Sequence, residues 1–380
     1  RLKALKVDYT RHLAGLPPIS VWIRYTKSGA PKGPFGYLWR LAPEQSQTAY
    51  NVLNIYTGFV YLDKKTKITR QQYTKFVASI SRKQPSGPEM AHMADIMNKC
   101  PNLVPNSRHL EDATGYPVLD LWFSPSKRGP LVDQAGTKPV AESILDGVSA
   151  IARFPDFVRK YQMIFSTTLG PLNEVLSAMS KDLAAPFGQS ELTDPMSLFY
   201  EGHWIREDHD RDREDLVSGY VSFKQDPGYK LRHVAVPHVV LQAALKPLGD
   251  VLFDALRHIP QDCTYDQEKG VSDTQEYLRR NVKVYSFDLS SATDVFPLAL
   301  QEGLLRNWGV PKLWVDLFRD ISHGRWRFPE RGLPPTLRKR SAIQAPFYLN
   351  EYVRWTVGQP LGLYPSFAAF SLSHHALLQG

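Results

Sequence analysis

Two acids six residues apart, Asp288 and Asp294, stand in Tyr285-Ser-Phe-Asp-Leu-Ser-Ser-Ala-Thr-Asp294, with Ser290, Ser291 and Thr293 between them. Small polar residues between acids let a phosphate or a sugar come close to the backbone. Phosphoryl transfer needs this combination, because one carboxylate can hold Mg²⁺ against a triphosphate while neighbouring groups position a ribose. The preceding Lys283–Phe287 alternates polar and apolar residues and is rich in β-formers, which predicts a half-buried strand with Asp288 at its end. Strand ends at a crevice are where α/β-type sheets bind ligands. The same residues also fit a plain strand running into a polar turn, with Asp294 capping a helix that Pro297 opens.

Two further stretches offer chemistry that complements the acids. Lys230 and Arg232 flank Leu231 on a predicted strand, so both cations share one face and can clamp a triphosphate, or else keep an exposed edge soluble. Val357-Gly-Gln-Pro-Leu-Gly-Leu-Tyr-Pro-Ser366 is a Gly/Pro loop feeding a helix from Pro365, with Phe367, Phe370, His374 and Leu377 or Leu378 on one face. Exposed backbone N–H groups at such a helix start can grip phosphate or sugar. His374-His375 invites a metal, but adjacent helical residues point about 100° apart, so packing and hydrogen bonding suit them better. Arg206–Asp215 is an unbroken run of charged residues and His of mixed sign, which reads as a solvated face or linker.

These groups need elements to position them. Helices are predicted over Arg70–Arg82, across Val140–Leu183 with a break near Phe154-Pro155, over Val240–Ile259 with a kink at Pro247, and over Leu298–Trp308 and Pro311–Ile321. Ser272-Asp-Thr-Gln275 predicts a helix start by its capping-box spacing. Residues 84–140 are rich in Pro and Gly and read as an irregular connector. Residues 1–60 interleave Trp22, Arg24, Tyr25, Lys27, Tyr37, Trp39 and Arg40, a pattern that serves either an ordinary surface or base stacking with phosphate neutralisation.

The chain has 380 residues, 43% of them hydrophobic and 12% aromatic, which argues against disorder and allows two or three domains or one large multi-lobed enzyme. A formal net charge of +8 favours a polyanionic partner, a balance that ribosomal and membrane-surface proteins share. Two distant cysteines and no metal-ligand spacing give no support for a disulfide framework or structural zinc. No apolar run is long enough to predict a membrane span.

The ordered set Lys230-x-Arg232, Phe287-Asp-Leu-Ser-Ser-Ala-Thr-Asp294 and Val357-Gly-Gln-Pro-Leu-Gly362 with Ser366 resembles motifs F, A and B of viral RNA-dependent RNA polymerases. Asp262-x-Thr-x-Asp-Gln267, Leu372-Ser-His-His375 and Gln379 sharpen this to the mitoviruses and their narnavirus-like relatives. The strong matches cover roughly residues 226–380. The resemblance implies an α+β fold, a right-hand polymerase that is largely helical outside an incomplete palm. Residues 1–140 would form an N-terminal extension and fingers region, 141–282 the fingers with motif F, and 283–380 a partial palm.

By the same resemblance Asp288 would ligate catalytic Mg²⁺ (or Mn²⁺), and Asp294 would help recognise the ribose 2′-OH. Lys230 and Arg232 would hold the incoming triphosphate, and Ser290, Ser291, Gly358, Gln359, Gly362 and Ser366 would line ribose and template. The implied partners are an RNA template, the nascent RNA and ribonucleoside triphosphates, in a host mitochondrion or cytoplasm.

Two departures stand out. Phe370 occupies the motif B place where many RNA polymerases carry Asn, and no Gly-Asp-Asp of motif C occurs in the sequence. The given chain is therefore expected to be a fragment that does not polymerise alone, or to take the missing palm from a second chain. A catalytically inactive, polymerase-derived RNA-binding protein is the alternative. A reverse transcriptase would carry a bulky aromatic near position 294, so Asp294 speaks for RNA synthesis.

Overall fold

The computed structural model describes residues 2–58, 70–104, 110, 154–165, 216–226, 230–327 and 352–380. The charge run 206–215, the basic residues 328–340 and most of 140–183 lie outside the described residues. Two compact units are present, one made of residues 1–67 with 223–233 and the other of 68–222 with 234–380. Among the described residues no helix is long and apolar enough to cross a membrane.

The first unit contains α1 (Leu2–Leu13), a 3₁₀ helix over Pro34–Arg40 and α2 (Ser46–Leu53). Its core is Leu5, Tyr9, Leu38, Trp39, Ala49 and Leu53. Tyr9 meets Trp39 edge-on at 5.0 Å and Tyr50 at 5.4 Å. Asp8 is buried beside this core because its carboxylate accepts from the Ile19 N–H at 2.8 Å and from the Tyr25 hydroxyl. The aromatic-cation pattern of residues 1–60 therefore divides. Trp39 belongs to the core and the half-buried Tyr25 to the hydrogen bond with Asp8, while Trp22, Tyr37, Arg24, Lys27 and Arg40 stay exposed.

The second unit is mostly helical. α3 (Arg70–Ile80) is followed by α4 (Gly87–Lys99) and the short α5 (Pro155–Lys160). α4 falls within the stretch expected to be an irregular connector. Ser86 and Glu89 form a reciprocal capping box at its start, and Pro88 sits in the first turn, where its missing N–H costs nothing. Within a stretch whose Pro and Gly content reads as connector, this proline marks where a helix begins.

Strand β1 (Val217–Asp226) and strand β2 (Lys230–Pro237) precede α6 (Val239–Arg257), in which Leu241, Ala244, Leu248 and Leu252 are fully buried. α7 (Gln267–Arg279) starts one turn and more ahead of the predicted capping box. Its cap is Asp266, whose side chain accepts from the Lys269 N–H at 3.0 Å. Then come α8 (Ala292–Val295), α9 (Leu298–Asn307), α10 (Lys312–Ser322), β3 (Arg325–Arg327), β4 (Tyr352–Val353) and α11 (Ser366–Gln379).

The four strands form one mixed sheet in the order β2-β1-β3-β4, with β1 parallel to β3 and β3 antiparallel to β4. The fold is thus α+β and mostly helical, as expected, whereas Lys283–Phe287 is not a strand: residues 282–289 form neither strand nor helix and are exposed. An alternating pattern makes a strand only where a neighbouring strand satisfies its backbone, and the described residues supply none there.

α11 is the centre of the helical layer, packed against α4, α6, α8 and α9. Its buried residues are mainly small: Ser366, Ala368, Ala369, Ser371, Ser373 and Ala376, with Leu372. Short side chains let four helices approach one axis. The large residues expected to define its face, Phe367, Phe370 and His374, lie instead on the exposed or half-buried side. α10 shows the usual amphipathic division: Trp314, Val315, Leu317, Phe318 and Ile321 are buried. Its buried Asp316 accepts from Arg306 at 2.6 Å and Arg319 at 3.2 Å, with Lys312 also paired. Those three cations hold its pKa below the ordinary value against the opposing effect of burial.

Candidate functional site

The stretch carrying Asp288 and the loop carrying Gly362 lie about 70 residues apart in sequence, and the second unit brings them together. The contact is made at α8. The Gly358 N–H donates to the Asp294 carbonyl at 3.2 Å and the Gln359 N–H to the Thr293 carbonyl at 2.9 Å. One step further, the Leu298 N–H donates to the Val357 carbonyl at 2.8 Å. A Cβ at Gly358 would lie 2.1 Å from the Thr293 oxygen and 2.5 Å from the Asp294 carbonyl carbon, so only glycine permits this approach.

The loop before α11 is braced on its other side by β2 and α6. A Cβ at Gly362 would fall 1.9 Å from the Ala235 oxygen, and Gly362 adopts φ +148. Gln242 of α6 donates to the Gly362 carbonyl at 2.6 Å and accepts from the Tyr364 N–H at 2.9 Å. The Tyr364 hydroxyl donates to Asp250 at 2.7 Å, and Asp250 also pairs with Lys246. Beneath the loop, Gln359 donates to Gln301 at 3.0 Å and to the Ser366 carbonyl at 2.7 Å. Gln359 and Ser366 are fully buried, and Gln359 Oε1 and Ser366 Oγ have no hydrogen-bond partner among the described residues. From that position they shape the loop from behind, leaving Leu361 exposed and Gly362 half-buried at its front.

Asp294 is 7% exposed. Burial pushes its carboxyl up to about 6, against the opposing hydrogen bond from the Trp355 indole N–H at 2.7 Å. Asp288, Ser290 and Ser291 are all exposed, and Ser291 takes a left-handed conformation (φ 54) at the start of α8. The two acids that the sequence pairs therefore occupy opposite environments.

Lys230 and Arg232 stand two residues apart in β2 as expected, within the first compact unit, and Arg232 is exposed. Among the described residues no cluster of three or more His, Cys, Asp or Glu is placed to hold a metal ion. Asp288 alone presents a free-standing carboxylate at the stretch, which fits a share of a Mg²⁺ site, since that ion takes one or two carboxylates together with substrate phosphates and water.

Two residues that spacing did not assign prove structural to the site. Trp355 is the buried partner of Asp294. Asp262, which sequence offers only as part of a motif, lies 2.9 Å from His375 Nε2 and accepts from the Thr264 N–H at 2.8 Å. Burial acts to raise the Asp262 pKa, but these hydrogen bonds outweigh it and hold the group below its ordinary value. His374 stacks on Phe370 at 5.8 Å, and Phe370 meets Phe296 at 5.5 Å. Packing and hydrogen bonding thus account for the His pair. A partner 113 residues away leaves no trace in local spacing.

The family model described as mitovirus RNA-dependent RNA polymerase matches residues 189–379. Over 164 residues the chain is 30% identical to the RNA-directed RNA polymerase of Cryphonectria parasitica mitovirus 1, covering 43% of this chain and 18% of that protein. Over 128 residues it is 32% identical to an uncharacterized mitochondrial protein of Arabidopsis thaliana, covering 32% of this chain and 43% of that protein. The matches thus span less than half the length of either relative. No solved structure matches.

Proposed function

The chain belongs to the mitovirus RNA-dependent RNA polymerase family, and from that premise we propose that it carries the nucleotide-handling part of an RNA-directed RNA polymerase. The observation that carries this reading is the lock between the Asp294 turn and the Gly358–Gly362 loop, which puts an acid and a glycine-rich backbone side by side. Such a junction can hold a ribose and the phosphate attached to it.

In this reading the exposed Asp288 contributes one carboxylate to a divalent metal. A bound Mg²⁺ would supply charge neutralisation on the triphosphate. Asp294 accepts from a sugar hydroxyl, and Ser290 and Ser291 face the nucleotide. Gly362 offers backbone at the loop front, while Gly358, Gln359 and Ser366 keep the loop in shape. Lys230 and Arg232, two residues apart in β2, neutralise phosphate. RNA is the template and ribonucleoside triphosphates are the substrates. The mitochondrion is the proposed compartment, on family membership and the mitochondrial relative.

The test is incorporation of labelled ribonucleotide on an RNA template by the complete reading frame that carries this chain, wild type against Asp288→Ala. Loss of about 100-fold or more is expected for a group that touches the reacting phosphates. Equal incorporation by both removes Asp288 from the chemistry. RNA binding without incorporation by either protein would favour an RNA-binding protein derived from a polymerase, in the same protein or pending a second chain.

A further inference from the structure

We propose that Trp355 is a positioning residue for ribose recognition, holding the Asp294 carboxylate by one oxygen and leaving the other for a sugar hydroxyl. The proposal rests on the polymerase reading above and adds a residue that the sequence motifs do not include.

The geometry is specific. An indole Nε1 is a donor only and points in one direction, and here it reaches Asp294 Oδ1 at 2.7 Å across 61 residues of sequence. Among the described residues no other side chain hydrogen-bonds that carboxylate. A buried acid without a cation beside it needs such a donor, or its desolvation goes uncompensated.

The indole is itself fixed. Trp355 is 3% exposed, with the Phe76 ring edge-on at 6.0 Å and the Trp326 ring edge-on at 5.7 Å. The next residue is clamped to the end of α3: the Thr356 N–H and hydroxyl both donate to the Ile80 carbonyl, at 3.0 and 3.2 Å. The same hydroxyl lies 2.8 Å from the Arg82 carbonyl, and Gln84 donates to the Thr356 carbonyl at 2.6 Å. Phe370, on the helix that follows the loop, has no donor to offer and packs on Phe296. The polar contact to Asp294 therefore comes from the buried residue that precedes the loop in sequence, through a ring packed on Phe76 of α3.

A purely structural tryptophan would also satisfy its N–H on the nearest acceptor, so the test uses two readouts that packing alone does not move. The first is the indole N–H resonance of Trp355 in the ¹⁵N-labelled chain of residues 1–380, assigned by its disappearance in Trp355→Phe. It should shift upfield in Asp294→Asn, and an unchanged resonance overturns the pair. The second is discrimination between ribo- and deoxyribonucleotide by the complete reading frame. Trp355→Phe keeps an aromatic ring at this position and loses the N–H, and should lower discrimination about tenfold through the KM for the ribonucleotide, with kcat held within about twofold.

Unchanged discrimination overturns the proposal, as does an equal fall in kcat for both sugars. If Trp355→Phe does not fold, discrimination is read in Asp294→Asn, which leaves the aromatic packing intact, against the same two outcomes. No incorporation by the wild type with either sugar sinks the polymerase reading instead, and the resonance then decides the pair by itself.

Discussion

The two halves of the candidate site are built in opposite ways. Residues 282–291 are exposed throughout, with Phe287 84% exposed, and make no strand or helix before α8. Residues 355–366 are mostly buried, and their backbone is tied to Thr293, Asp294, Ala235 and Gln242. The comparison teaches where this protein places rigidity. The glycine loop is immobilised by groups that have no chemistry of their own. The acid proposed to meet the metal stands on a segment whose conformation costs the fold little to change.

The largest expected effect lies in the locked half. Gly358→Ala should destabilise the second unit by about 3 kcal/mol or more, because its Cβ meets backbone that cannot turn aside. Chemical denaturation measures it, and a loss comparable to that of an exposed position would abolish the contrast.

Next comes the pH dependence of Asp294. Its folded pKa of about 6 lies above the ordinary 3.8, so its contribution to stability is full below about pH 4 and is lost as pH rises through 6. A shift of about two units corresponds to roughly 3 kcal/mol. Wild type should therefore lose about that much relative to Asp294→Asn between pH 4 and pH 7, read from urea midpoints. Lys75 on α3 and His374 and His375 on α11 belong to the helices packed on this turn. The difference between the two proteins is accordingly the quantity to follow, and a constant difference would contradict the burial account.

Thr356→Val removes the hydroxyl bonds to Ile80 and Arg82 and should cost about 1 kcal/mol. Smallest of all, Phe287→Ser on the exposed segment should change stability by less than about 0.5 kcal/mol while reducing self-association at high concentration. Light scattering and a thermal melt on the same sample test both parts.

Much of the helical layer was legible from periodicity. Val239–Arg257, Leu298–Asn307 and Lys312–Ser322 have apolar faces long enough to declare themselves. β2 with Lys230 and Arg232 was legible too, because alternation and the closing Pro237 agreed. α4 was hidden by the Gly87-Pro88 pair at its own first turn, where composition reads as loop although position reads as cap. Lys283–Phe287 has the pattern of a strand, but pattern cannot report whether a partner strand is present. The acids, the glycines and the cation pair could be put forward from sequence because their types and order are local. Trp355 and the Asp262–His375 pair were not, because each depends on a partner 61 or 113 residues away.

The clamp of Thr356 on the end of α3 has a consequence for the order in which the protein acquires its shape. Thr356 and Ile80 are 276 positions apart. At the pace of synthesis, about 5–20 residues per second, α3 leaves the ribosome roughly 14–55 s before the segment it must grip. During that interval the face of α3 later covered by Trp355 lacks that cover, and Asp294, once made, waits 61 residues for its indole. The glycine loop is thus completed only after the segment that carries the acids, and a nascent chain paused between α8 and β4 would carry Asp288 and Asp294 without the loop that locks onto their turn.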